Sequence, residues 1–322
     1  MKIAFVGKGG SGKSTLSASF ASHITETSDK PVVVFDADLN IHAPELLGFE
    51  SIPFTQHLSH PKAAESIKKW LIGGNDISNL GAFRKSTPPT RKSNIIKIEL
   101  IKETPVGAYG SHRDNISVFA VGTYQEEDIG ASCYHNNLAI LENILSHTDD
   151  RNGYVIADMV AGVDAFAGTL HAQFDLTCLI VEPTMRSIEV YTKYISLAKE
   201  AGIEASVFVI GNKVRNEKDI EFINAHIPKN KIIGFFSDDE HIREIDQGGA
   251  ILSAKKLNGN NQNVLKTIQD IANSLPDNLN NRLKKIWELH KKYVAQGFVK
   301  DKFGDLVNQI DEDFNFDDVG NK

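Results

Sequence analysis

Residues 7–14 read Gly7-Lys-Gly-Gly-Ser-Gly-Lys-Ser14, between an apolar run ending at Val6 and the segment Thr15-Leu-Ser-Ala-Ser-Phe20. A buried strand, a Gly-rich turn and a helix start, in that order, make the setting of a phosphate-binding loop, and this setting constrains the fold more than any other feature. Glycines 7, 9, 10 and 12 free the backbone N–H groups of the loop, including that of Ser11, to close around a polyphosphate. A helix opening at Lys13 adds the positive end of its dipole. Lys13 supplies a charge for the β- and γ-phosphates, Ser14 a hydroxyl for Mg²⁺, and Thr15 completes the turn.

The rest of the chain alternates apolar runs with helical patterns. Strands are expected near 2–6, 32–35, 116–121, 154–157, 177–181, 206–210 and 231–235, and most are continuously apolar, as strands buried on both faces are. Helices are expected near 13–26, 137–147, 187–201, 216–226 and 262–274. This rhythm predicts an α/β fold with a doubly wound, mostly parallel sheet. A content of 41% apolar and 24% charged residues over 322 positions suits a soluble globular chain, and no stretch is long and apolar enough to span a membrane. The expected strand at Lys2 leaves no room for a signal peptide, and two cysteines, Cys133 and Cys178, fit a reducing compartment. A cytoplasmic protein is expected.

Carboxylates recur at strand ends, the ligand-binding edge of a parallel sheet. Val32-Val-Val-Phe-Asp36-Ala-Asp38 ends one strand and Tyr154-Val-Ile-Ala-Asp158 another. Asp158 is placed to hold a water on Mg²⁺, which keeps several waters and takes few protein ligands. Asp36 reads as structural or near the Mg²⁺ shell. Gly162, just beyond, lets a switch loop rearrange. The sixth strand ends Gly211-Asn-Lys-Val214. Asn212 can pair with adenine N6 and N7, and Arg215 stands where guanine readers place an aspartate, so the expected nucleotide is ATP.

The second lysine of the loop, Lys8, narrows the class. With it the chain resembles the deviant Walker A ATPases, the family of MinD, ParA, the nitrogenase iron protein and the CooC nickel-insertion ATPases. The resemblance implies a P-loop NTPase fold of the MinD/ParA type, a Mg-ATP-dependent switch with slow hydrolysis, and an ATP-linked homodimer in which Lys8 reaches the partner's nucleotide as an arginine finger would. It further implies that Lys8, Lys13 and Asp38 are catalytic, Asp38 orienting the attacking water. Asn212, Lys213 and Phe236 would then line the base, Phe236 standing where proline is usual. The stretches Asp158-Met-Val-Ala-Gly162, Val181-Glu-Pro-Thr-Met-Arg-Ser-Ile-Glu189 and Gly211-Asn-Lys-Val214, with residues 1–48, look most like the CooC branch. That branch carries a Cys-x-Cys metal site before the helix preceding the Walker B strand. Here the first position is Ala131 and the second Cys133. Cys133 with His135 from each of two chains would give a transition metal four ligands, while Cys133 alone reads as an inert thiol.

Two regions break the rhythm. Residues 50–115 read as an irregular insertion with a basic stretch, Arg84, Lys85, Arg91, Lys92, Lys97, Lys102 and Arg113. It is expected to be solvated, with an acidic partner or nucleic acid as the other occupant its charge allows. The formal net charge of −7 argues against tight non-specific nucleic-acid binding. After Pro276, helical spacing predicts a helix near 279–296 packing on the body, followed by the acidic Asp311-Glu-Asp-Phe-Asn-Phe-Asp-Asp318. The expected organisation is an ATPase domain over 1–275 and a helical extension over 276–322. Two outputs fit: a CooC-like maturation or metal-delivery factor acting on a client protein, or a ParA- or MinD-like positioning ATPase binding DNA, membrane or a protein partner.

Overall fold

A computed structural model of the chain describes residues 1–77, 79–123 and 135–320. The strands are β1 (Lys2–Gly7), β2 (Val32–Ala37), β3 (Ile96–Lys97), β4 (Ser111–Arg113), β5 (Ile116–Ala120), β6 (Thr148–Asp149), β7 (Tyr154–Met159), β8 (Leu176–Val181), β9 (Val207–Val214) and β10 (Ile232–Ser237). The helices are α1 (Lys13–Thr27), α2 (Ala43–Leu46), α3 (Pro61–Ile72), α4 (His135–Ser146), α5 (Met185–Glu200), α6 (Glu217–His226), α7 (Glu240–Asp246), α8 (Gly259–Ser274), α9 (Leu279–Val294) and α10 (Gly297–Phe303).

The main sheet runs β10-β9-β8-β1-β7-β2-β5-β4, parallel throughout except for β4, which pairs antiparallel with β5. This is the doubly wound sheet expected from the sequence. Alternate residues of each strand enter opposite cores. Ala4 and Val6 of β1 join residues of α3, α4, α5 and α6 on one face, while Ile3 and Phe5 join α1 and α8 on the other. A strand that must be apolar on both sides reads as an unbroken hydrophobic run, which is why the strand order in sequence was legible. The small pair β3–β6 lies apart from this sheet.

The expectation of an irregular, solvated 50–115 is corrected by the structure. Residues 61–72 form α3, with Ala63, Ile67 and Leu71 on its buried stripe. Several basic side chains of the insertion, among them Arg84, Arg91 and Arg113, are engaged by the chain itself. Arg84 donates to the Tyr293 hydroxyl (2.9 Å) and lies over the Phe303 ring, 4.9 Å from its centre. Arg91 pairs with Asp311 at 2.9 Å and Asp313 at 3.4 Å. Arg113 donates to the Leu47 carbonyl at 2.7 Å. The helix expected near 279–296 is α9. Its His290 bridges the insertion and the tail, Nδ1 sharing a hydrogen bond with Ser86 Oγ (2.9 Å) and Nε2 with the Leu306 carbonyl (3.0 Å). Phe314 and Phe316 of the acidic tail pack on Leu279 and Leu283, so the aromatic residues turn inward while Asp317 reaches Arg151.

A buried ionic cluster fastens α9 to the rear of the sheet. Arg282 binds both Asp150 and Asp175, and Lys2 Nζ lies 3.3 Å from Asp150 while donating to the carbonyls of Leu145 and Thr148. Burial alone would raise the Asp150 pKa. The Lys2 ammonium and Arg282 guanidinium outweigh it and hold the carboxyl well below the usual range. Burial pushes Lys2 down to about 8. A depressed carboxyl contributes stability above its unfolded pKa and loses it as pH falls towards the folded value. Arg282→Ala therefore leaves two buried carboxylates short of a partner. It should cost about 3–5 kcal/mol in chemical denaturation, and acid unfolding of the variant should begin at a higher pH than in the wild type. An unchanged unfolding midpoint would show that the cluster does not hold α9.

Candidate functional site

The loop after β1 is gripped from the neighbouring strands. Asn212, at the end of β9, donates from Nδ2 to the Ser11 carbonyl (2.6 Å), and Lys213 Nζ donates to the Gly10 carbonyl (2.6 Å). On the other side the Gly162 N–H donates to the Gly7 carbonyl (3.0 Å), tying the stretch after β7 to the loop. The Ser11 N–H closes the turn onto the Lys8 carbonyl (3.1 Å), with Gly9 and Gly10 between them. Gly12 has φ +92, and a Cβ there would sit 2.3 Å from Asn212 Nδ2. Only glycine satisfies both the left-handed backbone and that approach. The fifteen-residue α1 begins directly after it and aims its N-terminus at the loop.

Four charged groups meet at this edge. Lys13, nearly buried, lies 3.2 Å from Asp38 Oδ2. Asp36 accepts from the backbone N–H groups of Asp38, His42 and Ala43, so it caps the short α2. Burial nevertheless pushes its pKa up to about 6. Asp158 stands opposite Asp36 in the β2–β7 register, with β1 on its other side. It is fully buried, and neither carboxylate oxygen has a hydrogen-bond partner of normal geometry among the described residues. Burial, then the charge of Asp36, raises its pKa well above the carboxylate range, with Ser14 and Lys13 working against the rise.

A buried carboxylate without donors is costly unless a cation, or a water held by one, completes it. The buried Ser11 hydroxyl is likewise without a partner among the described residues. These orphaned groups, below a loop whose glycines leave its face open, fit a hydrated divalent cation and a polyphosphate. Ser14 and Asp158 are the residues that would hold the cation, and a hard ion that keeps its waters suits so few protein ligands.

A cleft of about 430 Å³ beside the loop is lined by Gly12, Thr15, Asn212, Phe236, Asp239 and Arg243, among others. Phe236 is core, 1% exposed, and forms the cleft's inner wall. One amide hydrogen of Asn212 is committed to Ser11, leaving the other and Oδ1 for a base. Arg215 pairs with Asp238 at 3.4 Å along the same cleft. Cys133 lies outside the described residues, as does the side chain of its expected partner, His135. Cys178 is buried in β8, where burial raises its thiol pKa far above normal.

Over residues 3–252 the chain matches the CobQ/CobB/MinD/ParA nucleotide-binding domain. It belongs to that family. Within the family it is 29% identical over 246 residues to an uncharacterized ATP-binding protein of Methanocaldococcus jannaschii, covering 75% of this chain and 87% of that protein. It is 27% identical over 251 residues to the carbon monoxide dehydrogenase accessory protein CooC of Rhodospirillum rubrum, covering 77% and 88%. Among solved structures it is similar to a ParA family ATPase from Chlorobium tepidum, with TM-score 0.54 and 18% identity over 85% of this chain and 99% of that one. The family match ends before α9, α10 and the acidic tail.

Sequence reasoning assigned no role to Glu182. It follows β8 and lies 2.7 Å from Lys213 and 3.6 Å from Lys8. Its signal was available: a carboxylate ending the strand that neighbours β1. Gly12→Ala should drive the new methyl into Asn212 and reduce nucleotide affinity at least about tenfold, the loss of one charge-assisted phosphate contact or more. Titration with a fluorescent nucleotide checks this, and wild-type affinity would show that the grip of β9 on the loop is dispensable.

Proposed function

We propose that this protein is a Mg-ATP-dependent ATPase that pairs with a second copy of itself and serves as a CooC-like maturation or metal-delivery factor for a client protein. The observation that carries this reading is the division of labour between two lysines of one loop. Lys13 is enclosed and stands beside Asp38, whereas Lys8 sits at the mouth, about a third exposed. Lys13 would bind the phosphates, and the loop N–H groups other than that of Ser11, which the Lys8 carbonyl holds, would orient them. Asp38, freed from Lys13, would hold the attacking water. Lys8 would act on the nucleotide of the second copy. Mg²⁺, when bound through Ser14 and the water on Asp158, supplies neutralising charge to the phosphates.

The CooC likeness, 27% over most of both chains, favours the maturation reading over a positioning ATPase of the ParA or MinD kind, which the likeness of fold alone supports. Whether Cys133 carries cargo metal belongs to the same reading. Two cysteines in the whole chain and no helix among the described residues long and apolar enough to cross a membrane support a cytoplasmic setting. Within it, residues 1–275 act as the ATPase and 276–322 as an extension that braces the insertion.

Three experiments test the core of this reading. ATP and ADP should bind more tightly than GTP and GDP in the presence of Mg²⁺, because Arg215 replaces the guanine-reading aspartate; equal or tighter GTP binding would reverse the assignment. Lys13→Ala should weaken ATP binding about ten- to a hundredfold. Asp38→Ala should keep binding yet lower turnover about 10²–10⁴-fold. An Asp38→Ala protein that hydrolyses ATP at the wild-type rate would remove Asp38 from the mechanism.

A further inference from the structure

Two ammonium groups converge on one carboxylate at the mouth of the loop. Glu182 Oε1 lies 2.7 Å from Lys213 Nζ, and Oε2 lies 3.6 Å from Lys8 Nζ. The carboxylate is not free to wander. β8 pairs with β1, placing Ile180 beside Gly7, so the residue two positions on from Ile180 must face the loop. The Glu182 N–H donates to Ser187 Oγ (3.0 Å), Thr184 Oγ1 caps α5 through the Ser187 N–H, and Pro183 stiffens the turn between them. Glu182 is 13% exposed at its side chain.

The two lysines differ in what else holds them. Lys213 has a second anchor, the Gly10 carbonyl at 2.6 Å, and its backbone is fixed at φ +57 at the end of β9. Lys8 is 36% exposed, and Glu182 is its ion-pair partner among the described residues. One ammonium is therefore built into the loop, and the other is parked on it.

We propose that Glu182 is a positioning residue for Lys8. It holds the ammonium over the chain's own loop, and each Lys8 must leave its Glu182 before it can serve a second copy. This rests on the reading that Lys8 acts across a dimer. An interaction present in the separate chains and absent from the pair shifts the equilibrium towards the separate chains by its own strength, once per chain. Glu182 thus sets how much protein and nucleotide are needed for pairing, while Lys213 keeps its loop contact on either side of the equilibrium.

The test is sedimentation equilibrium with saturating Mg²⁺ and a non-hydrolysable ATP analogue. Analogue binding to each variant is titrated first, so that all are compared at full occupancy. Glu182→Gln keeps an oxygen for Lys213 and removes the charge that parks Lys8. The protein concentration at half-dimerisation should fall about two- to thirtyfold, as expected for two released surface ion pairs. Glu182→Asp, which keeps the charge, should lie between the wild type and Glu182→Gln. The proposal is overturned if Glu182→Gln dimerises at the wild-type concentration or above, if Asp and Gln behave alike, or if Glu182→Gln no longer binds the analogue. That last result would mean Glu182 serves only the loop, through Lys213. Lys8→Ala separates this proposal from the reading beneath it. A Lys8→Ala protein that dimerises normally removes the trans role of Lys8. One that stays monomeric while Glu182→Gln is unchanged removes Glu182 alone.

Discussion

The grip of β9 on two carbonyls of the phosphate-binding loop is the contact on which the rest of the site depends. A Gly-rich loop has little conformational preference of its own, so its shape is imposed from outside. Asn212 and Lys213 impose it by holding the Ser11 and Gly10 carbonyls, while the Ser11 N–H is tied to the Lys8 carbonyl. The same two side chains lie along the cleft beside the loop. The shape of the loop and one wall of the cleft therefore share one strand end, and a change at Lys213 or Asn212 is felt at both.

Beneath the loop the sheet stores an electrostatic demand. Asp36 and Asp158 face each other across neighbouring strands, and both are buried. Asp36 meets part of its demand locally, accepting from the N–H groups of Asp38, His42 and Ala43, the last two at the start of α2. Asp158 has no such arrangement, and its carboxyl is correspondingly reluctant to ionise. Two like groups a strand apart, both raised by burial, thus differ in their backbone donors: three reach Asp36, and none of normal geometry reaches Asp158 among the described residues.

What was legible in the sequence follows from range. The P-loop, the doubly buried strands and the carboxylates at strand ends are local patterns with a fixed period, and the fold class follows from them. The helix α3 was missed although Ala63, Ile67 and Leu71 carry its stripe, because Gly73-Gly74 and the prolines around it dominate the composition of the region. The basic stretch looked available because nothing in residues 84–113 shows that Asp311, Asp313 and Tyr293 return to meet it. Glu182 and Arg282 escaped for the same reason. An ion pair between residues far apart in the chain has no periodic signature, and only the folded register of β8 against β1, or of α9 against the rear of the sheet, brings the partners together.

The cluster of Lys2, Asp150, Asp175 and Arg282 has a consequence for how the chain is made. Lys2 opens the central strand of the sheet, and the guanidinium that completes its buried charge set comes from the opposite end of the sequence. At about 5–20 residues per second, a ribosome needs roughly 15–60 s to advance from Lys2 to Arg282. Once residues 150 and 175 have been made, Asp150 has the Lys2 ammonium beside it, but Asp175 has the Lys2 N–H and still lacks the guanidinium. The N-terminal part of the sheet therefore waits, incompletely neutralised, for a residue beyond the family's own domain. The last helices are in this sense part of the folding unit of the first strand.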